Sequence, residues 1–131
     1  MPIELKTGNL FKSKAQTLVN TVNCVGIMGK GIALEFKKSF PEMFSDYVSK
    51  CKLNQVKLGY PYLYRRIFTP WIINFPTKNN WRSRSNLDDI ISGLEYLTLH
   101  YKEWGIESRA EDLIEALANL RSFSTKELTC L

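Results

Sequence analysis

The feature that most constrains this fold is a change of pattern between residues 17 and 40. Thr17 to Val22 is rich in β-branched and apolar residues and contains no strand breaker, so it predicts a buried central strand. A loop with three glycines follows, and Ile32, Phe36 and Phe40 then recur at helical spacing. The order of strand, glycine-rich loop and helix indicates an α/β fold.

Beyond this helix, the pattern predicts a second helix and two further strands. Pro41 suits the first turn of the second helix. Tyr62 to Arg66 predicts one strand, and the strongly apolar Trp71 to Phe75 predicts another, which Pro76 is expected to end. At the start of the chain, Ile3 to Lys6 alternates apolar and charged residues, which is typical of a half-exposed edge strand.

A long helix is predicted after the polar loop Thr77 to Asn86. It is expected to begin near Ser85, with Asp88 as its capping-box-like partner, and Gly105 is well placed to end it. Its buried stripe is predicted at Leu87, Ile90, Ile91, Leu94, Leu97, Tyr101 and Trp104. Alternating strands and helices of this kind indicate a layered α/β domain with a mixed or parallel sheet.

Composition narrows the class of protein. The chain has 131 residues, of which 44% are hydrophobic and 24% charged, and this balance is typical of one soluble domain. No apolar stretch is long enough to span a membrane, and the N-terminus does not resemble a secretory signal. The formal net charge of +5 favours polyanionic partners, but by itself it leaves contact with nucleic acid open.

Cysteine and histidine usage excludes several kinds of site. Cys24, Cys51 and Cys130 are odd in number and widely spaced, so they predict neither a disulfide framework nor a zinc site. A reducing, cytoplasmic setting is the simplest interpretation. The single histidine, His100, argues against chemistry that needs two histidines and against multi-histidine metal sites.

The first candidate site is the glycine loop, Asn23 to Gly31. Glycines let a backbone approach a ligand closely, and the helix N-terminus that follows presents amide groups suited to phosphate. Lys30 adds a positive charge, and Asn20 and Asn23 offer amides to sugar hydroxyls. The spacing matches neither the dinucleotide fingerprint nor the Walker motif, so an ordinary tight strand-to-helix connection is the alternative.

The second candidate site follows the apolar strand. Lys78 should lie at the carboxyl end of the sheet, where a partly desolvated lysine can act as a nucleophile or base. Trp81 could stack on a base or sugar, and Arg82 and Arg84 could meet phosphates. The alternative is a solvated basic loop.

Three lesser features favour plain structural interpretations. The Arg65–Arg66 pair is better explained as a solvated strand end than as a phosphate contact. His100 falls off the helix stripe and is expected on the surface. Cys24 is expected to pack as a small side chain, because no histidine near it in sequence could activate a nucleophilic thiol.

Taken together, these segments resemble the macrodomain family. The residues that carry the resemblance stand in the family's order at Thr7–Leu10, Leu18–Asn23, Val25–Ala33, Phe36–Pro41 and Ile73–Lys78. The similarity is greatest to the DNA ADP-ribosyl glycohydrolase branch, the antitoxins of the DarT–DarG toxin–antitoxin pair. It covers roughly residues 3 to 108, so we expect a macrodomain-like core at 1–108 and a divergent helical tail at 109–131.

The resemblance implies a three-layer α/β/α sandwich with a mixed sheet and ADP-ribose in a cleft at the carboxyl ends of the strands. The implied reaction hydrolyses the bond between ADP-ribose and a thymine base of single-stranded DNA. The implied partners are ADP-ribose, ADP-ribosylated single-stranded DNA and, as a further candidate, the cognate toxin. No metal, no redox cofactor and no membrane partner is implied.

The resemblance also implies roles for individual residues. Lys78 would act at the anomeric carbon, Asn9 would lie near the adenine, and Asn23 with Gly29–Lys30–Gly31 would hold the distal ribose. Trp81, Arg82 and Arg84 would lie toward the modified strand. The remaining members of the expected ligand-binding set are Leu10, Asn20, Ile32 and Thr77.

The chain departs from the family in its last third. Members of this branch carry a second glycine-rich loop that wraps the diphosphate, but here no glycine follows Gly105 and no proline follows Pro76. The loop and the strand leading to it are therefore expected to be missing, with a helix-like Glu111 to Arg121 in their place. Besides an enzyme, two alternatives stay open: a non-catalytic macrodomain that binds ADP-ribose weakly or binds a protein, and a generic nucleotide-binding α/β protein.

Overall fold

The described part of the chain forms a small α/β domain. The computed structural model describes residues 10–12 and 14–106, so the predicted strand Ile3 to Lys6 and the predicted helix Glu111 to Arg121 lie outside the described residues. In chain order the elements are a 3-10 turn at Leu10–Lys12, β1 at Thr17–Asn23, α1 at Gly31–Ser39, α2 at Pro41–Lys52, β2 at Tyr62–Tyr64, β3 at Trp71–Lys78 and α3 at Leu87–His100.

The three described strands form one mixed sheet in the order β1-β3-β2. β3 pairs in parallel with β1 from Thr17 opposite Trp71 onward, and it pairs antiparallel with β2. All seven residues of β1 are buried, as their β-branched and apolar composition predicts. β1 and β3 are parallel, so their carboxyl ends meet at one edge of the sheet.

Each face of the sheet carries its own apolar cluster, which makes the domain three-layered. On one face, Leu18 and Ile72 pack with Phe36 of α1 and Met43 of α2. On the other face, strand and helix residues form a second cluster that includes Val19, Ile73, Phe75, Leu94 and Leu97. The predicted α/β/α sandwich with a mixed sheet is therefore confirmed.

The prediction that Pro76 ends its strand is wrong. β3 continues through Pro76, which lies opposite Val22, and ends at Lys78, so the following loop begins after Lys78 and not at Thr77. β2 pairs with β3 only as far as Asn74. Beyond Asn74, no described strand pairs with that edge of β3. A proline without an N–H is tolerated where a strand lacks a neighbour.

β2 is also shorter than predicted, because Arg65 and Arg66 turn away from the sheet. The Arg65 side chain donates to the main-chain oxygen of Trp104. Arg66 donates to the oxygen of Pro70 at 3.1 Å, and its guanidinium lies 4.6 Å from the ring centroid of Phe40. Arg65 is exposed just past the end of β2, as expected for a solvated strand end, and both arginines also hold the loop before β3.

α3 begins with a different cap from the one predicted. The N-cap is Asn86, whose side-chain oxygen accepts from the Asp88 amide at 2.9 Å, so the capping box at Ser85 is wrong. Asparagine and serine cap helices equally well, and the sequence gives no preference between neighbouring candidates. The helix ends at His100, and Gly105 closes the turns beyond it with a φ of +80°.

The predicted stripe of α3 holds in its second half, where Leu94, Leu97, Tyr101 and Trp104 join the apolar cluster, and fails at its beginning. Leu87 and Ile91 are each 43% exposed, whereas Gly93 and Leu97 are buried. A Cβ built on Gly93 would lie 2.5 Å from Cζ of Phe75. Helix and strand therefore approach closely at a glycine, which no apolar periodicity predicts because glycine has no side chain.

Candidate functional site

The glycine loop and Lys78 meet at the carboxyl ends of β1 and β3. Asn23, the last residue of β1, lies opposite Lys78, the last residue of β3. Just beyond them, the Cys24 amide donates to the oxygen of Asn79 at 3.0 Å. The structure thus joins the two segments that the sequence singled out separately, and it does so at the edge of the sheet where open α/β proteins bind ligands.

A β-bulge sets the position of Lys78. The register advances from Val22 opposite Pro76 to Asn23 opposite Lys78, which leaves Thr77 as the extra residue. Bulges redirect the side chains that follow them, so Lys78 shares a rung with Asn23. Thr77 itself is buried, and its hydroxyl has no hydrogen-bond partner within the described residues.

The side chain of Asn23 organises the glycine loop from within. Its oxygen accepts from the amides of Val25 at 3.1 Å and Ile27 at 3.4 Å, and its nitrogen donates to the Ile27 oxygen at 2.8 Å. These bonds leave one amide hydrogen of Asn23 for a ligand, because the NH₂ group carries two. Asn23 therefore stabilises the conformation of the glycine loop, in addition to any contact that it makes with a sugar.

Two glycines of the loop have backbones that other residues rarely adopt. Gly26 has a φ of +85° and Gly31 a φ of +60°, a region open to glycine at little cost. Gly29 is different, because a Cβ there would meet only the Ile27 side chain, at 3.6 Å. Nothing within the described chain requires a glycine at position 29, which fits a surface that a ligand approaches closely.

The N-terminus of α1 opens onto the same edge. Lys30 is the N-cap and makes no side-chain capping bond, and the first intrahelical bond runs from Leu34 to the Lys30 oxygen. The amides of Gly31, Ile32 and Ala33 precede that bond, so they have no acceptor within the helix. Uncapped amides together with the exposed Lys30 form a surface suited to an anion.

Asn20 does not belong to this surface. It is fully buried, and its side-chain nitrogen donates to the Asn74 oxygen at 3.2 Å and approaches the Met28 sulfur at 3.8 Å. The two asparagines face one another across paired strands. Asn20 therefore binds the sheet together beneath the loop, and the expectation that it offers an amide to a sugar is wrong for this structure.

The remaining members of the expected ligand-binding set lie as follows. Asn9 is outside the described residues, whereas Leu10 and Ile32 are half-buried and pack against the apolar cluster beneath α1. Within the described part of the chain, no group of three His, Cys, Asp or Glu side chains converges as metal ligands would.

The loop after Lys78 is a compact basic and aromatic turn. Asn80 holds it, because its side-chain oxygen accepts from the Arg82 amide at 3.2 Å and its main-chain oxygen from the Ser83 amide at 2.9 Å. Trp81 is 46% exposed, and the Arg82 guanidinium lies 4.5 Å from its ring centroid. Arg84 is exposed as well. Residues 79–84 are all exposed, so the interpretation as a solvated basic loop stays open beside that of a DNA contact.

The thiol of Cys24 is half-buried beside the apolar cluster, as expected for a packing residue. Burial raises its pKa to about 11, and the nearby Cys51 and Asp89 add to the rise. The thiolate is therefore scarce at neutral pH, which argues against a nucleophilic role.

His100 is not a simple surface residue. The centroid of its ring lies 4.1 Å from that of Tyr96, and its imidazole forms a hydrogen bond with Glu103.

The raised pKa of Cys24 predicts slow alkylation. At pH 8 a thiol with a pKa of about 11 is ~100-fold less ionised than one with a pKa near 9, and only the thiolate reacts. We expect the alkylation rate of Cys24 to rise about tenfold per pH unit up to pH 10. Mass spectrometry of the Cys24 peptide, with N-acetylcysteine as reference thiol, measures this. A rate that levels off below pH 9 would contradict the assignment.

Sequence reasoning missed the role of Tyr47. Tyr47 lies on α2 and is fully buried. Its hydroxyl, however, lies 2.7 Å from the side-chain oxygen of Asn23 and 2.8 Å from the main-chain oxygen of the same residue. No local pattern reveals a contact between residues so far apart in sequence.

Comparison with known proteins identifies the family. The sequence profile of the Macro domain matches residues 19–120, well over half of the chain. This chain belongs to the macrodomain family. A DNA ADP-ribosyl glycohydrolase of Mycobacterium tuberculosis is 46% identical over 107 residues, which make up 79% of this macrodomain and 30% of that relative. The macrodomain spans only 29–30% of the length of the curated relatives that it matches at 42–46% identity.

Solved structures support the same assignment. The macrodomain of Thermus aquaticus DarG has a TM-score of 0.75 and 31% identity, over 96% of this chain and 93% of that one. Thermosipho africanus DarTG in complex with ADP-ribose has a TM-score of 0.74 and 31% identity, over 98% of this chain and 40% of that one. In the described part of this macrodomain, no helix is long and apolar enough to cross a membrane.

Proposed function

We propose that this macrodomain binds ADP-ribose and hydrolyses its bond to a thymine base of single-stranded DNA. The observation that carries the proposal is the shared rung of Asn23 and Lys78, which sets a lysine beside an amide-lined loop. The relatives support it, because the Mycobacterium tuberculosis protein is named a DNA ADP-ribosyl glycohydrolase and the Thermosipho africanus structure contains ADP-ribose.

In this proposal the glycine loop and the start of α1 hold the ligand. Gly29, Lys30 and Gly31 contact the distal ribose and its phosphate through backbone amides, and Lys30 contributes its charge. Asn23 adds its remaining amide hydrogen. Asn9 and Leu10 lie toward the adenine, and Ile32 and Thr77 line the floor. Asn20 is left out, because it is buried in the sheet.

Lys78 acts at the anomeric carbon of the distal ribose. In the overall reaction the bond between that carbon and the thymine nitrogen breaks, and water supplies the hydroxyl that stays on ADP-ribose and the proton that returns to thymine. A lysine amine can assist either as a base toward water or as a transient nucleophile. Its half-buried position at the end of β3 suits both roles.

The turn after Lys78 faces the DNA strand. One face of the Trp81 ring is covered by Arg82, and a nucleobase would stack on the other face, as bases do on aromatic side chains in single-strand binding proteins. Arg82 and Arg84 supply cations for neighbouring phosphates. The net charge of +5 favours the same partner.

The test is release of ADP-ribose from an oligonucleotide modified on thymine, with protein-linked ADP-ribose as the comparison substrate. We expect release from the DNA substrate and little from the protein substrate. Release from protein alone would overturn the assignment of DNA as substrate, and no release from either would overturn the enzymatic proposal.

A second candidate is a non-catalytic module that binds ADP-ribose weakly. The absence of any glycine from residues 106–131 favours it, because that stretch lacks the glycine-rich pattern of a second loop around the diphosphate. A charge-assisted hydrogen bond contributes about 1.5–3 kcal/mol, so losing several weakens binding by orders of magnitude. Calorimetric binding of ADP-ribose without release from DNA would favour this candidate.

Location, domain organisation and the toxin partner belong to the same proposal. A cytoplasmic setting fits a DNA substrate and the free thiols of Cys24 and Cys51. A toxin partner fits the similarity to DarTG. The boundary at residue 108 stays a prediction, and the family match runs past it to residue 120.

A further inference from the structure

α2 packs against the glycine loop. A Cβ built on Gly26 would lie 3.8 Å from Cβ of Cys51 and 3.9 Å from Cγ2 of Val48. Tyr47, the preceding residue of α2, reaches Asn23 at the start of the same loop. Three residues on one face of α2 thus contact a loop whose own sequence is short and rich in glycine.

The hydroxyl of Tyr47 anchors an Asn23 amide whose orientation the glycine loop fixes. It lies 2.7 Å from the side-chain oxygen of Asn23 and 2.8 Å from the main-chain oxygen, and its one proton is shared between these two acceptors. If the amide were rotated by half a turn, its NH₂ group would face the amides of Val25 and Ile27, which are also donors. The loop amides therefore set the orientation, and Tyr47 holds the oriented amide against α2.

We propose that Tyr47 is a positioning residue that sets the ligand affinity of the glycine loop through the Asn23 amide. The inference rests on the proposed function, because it concerns the affinity for ADP-ribose. The contacts run from Tyr47 of α2 through Asn23 to the amides of Val25 and Ile27. Gly29 and the start of α1 follow these residues in the chain. Tyr47 does not itself touch the ligand.

The chain offers a closely matched control in Tyr62. This second largely buried tyrosine also places its hydroxyl on an asparagine, since the Asn74 nitrogen donates to it at 3.1 Å. Asn74 lies in the middle of β3 and, among the described residues, is linked to the glycine loop only through Asn20, which approaches Met28. Tyr62→Phe therefore removes a hydrogen bond from the same side of the sheet without removing any contact to the Asn23 amide.

The experiment compares wild type, Tyr47→Phe and Tyr62→Phe. Each is titrated calorimetrically with ADP-ribose well below its Tm, and amide hydrogen exchange is recorded without ligand. Both variants should lower Tm by about 5 °C. Only Tyr47→Phe should weaken ADP-ribose binding, by about three- to tenfold, and speed exchange at Val25 and Ile27.

The outcomes separate the inference from the function on which it rests. If wild type binds ADP-ribose and Tyr47→Phe binds it equally well, the inference is overturned and the proposed function stands. The inference is likewise overturned if Tyr62→Phe weakens binding as much as Tyr47→Phe, because the effect is then one of general stability. If wild type binds no ADP-ribose, the proposed function fails and the affinity claim fails with it.

Discussion

Lys78→Ala should abolish release of ADP-ribose from modified DNA while leaving binding of free ADP-ribose largely intact. Removing a group that takes part in proton transfer or nucleophilic attack lowers the rate by about 100- to 10,000-fold. Lys78 lies at the end of β3 and not within the amide-lined loop, so the contacts that bind the ligand remain. Initial rates of release and calorimetric titration of the same samples measure the two properties.

Two further variants separate chemistry from charge. Lys78→Arg keeps the positive charge but cannot act as a base or an amine nucleophile, so we expect it to be as inactive as Lys78→Ala. Lys38→Ala removes one positive charge from an exposed site in the last turn of α1, the end of the helix away from the glycine loop, and should act like wild type. If Lys78→Arg were nearly as active as wild type, the role of Lys78 would be a charged contact to phosphate and not a chemical one.

Gly93→Val should strongly destabilise the domain. Even the first carbon of a side chain would lie 2.5 Å from Cζ and 2.9 Å from Cε1 of Phe75, and that ring is fully buried. Overpacking of this kind costs about 1–3 kcal/mol, and more where the neighbouring ring cannot move. Urea unfolding followed by circular dichroism measures the loss.

Gly93→Ala tests the same contact against helix propensity. In a free helix this change would stabilise by about 1 kcal/mol, so any net destabilisation must come from Phe75. The control is Ser92→Ala, at the exposed neighbouring position, which should change the free energy of unfolding by less than about 0.5 kcal/mol. A Gly93→Ala protein more stable than wild type would show that α3 does not approach β3 as described.

The sequence predicts those parts of the fold that depend on local pattern. β1, α1 and α2 lie where β-branched runs, helical spacing and Pro41 predict them. The helix cap at Ser85 failed because a neighbouring residue, Asn86, caps equally well. Other failures depend on neighbours distant in the chain, since Pro76 lies where β2 no longer pairs with β3, and the contact of Gly93 with Phe75 has no apolar pattern.

The candidate site divides in the same way. The positions of the glycine loop and of Lys78 follow from strand polarity, because both segments come directly after parallel strands. Asn20 falls inside the predicted strand and Asn23 at the start of the predicted loop, yet both were expected to offer amides to a sugar. The structure buries one side chain against Asn74, whereas the other organises the loop. Tyr47 reaches the site from α2, so a residue-by-residue analysis has no signal for it.

The most direct test of the account is titration of the ¹⁵N-labelled wild-type protein with ADP-ribose, followed by NMR. ADP-ribose should cause saturable shifts at the amides of Gly29 to Ala33 and at Lys78 and Asn79, with little change at the far ends of β1 and β3 near Thr17 and Trp71. If no amide of the glycine loop shifts at millimolar ADP-ribose, or if the shifts cluster away from Lys78, the assignment of this edge of the sheet as an ADP-ribose site is wrong.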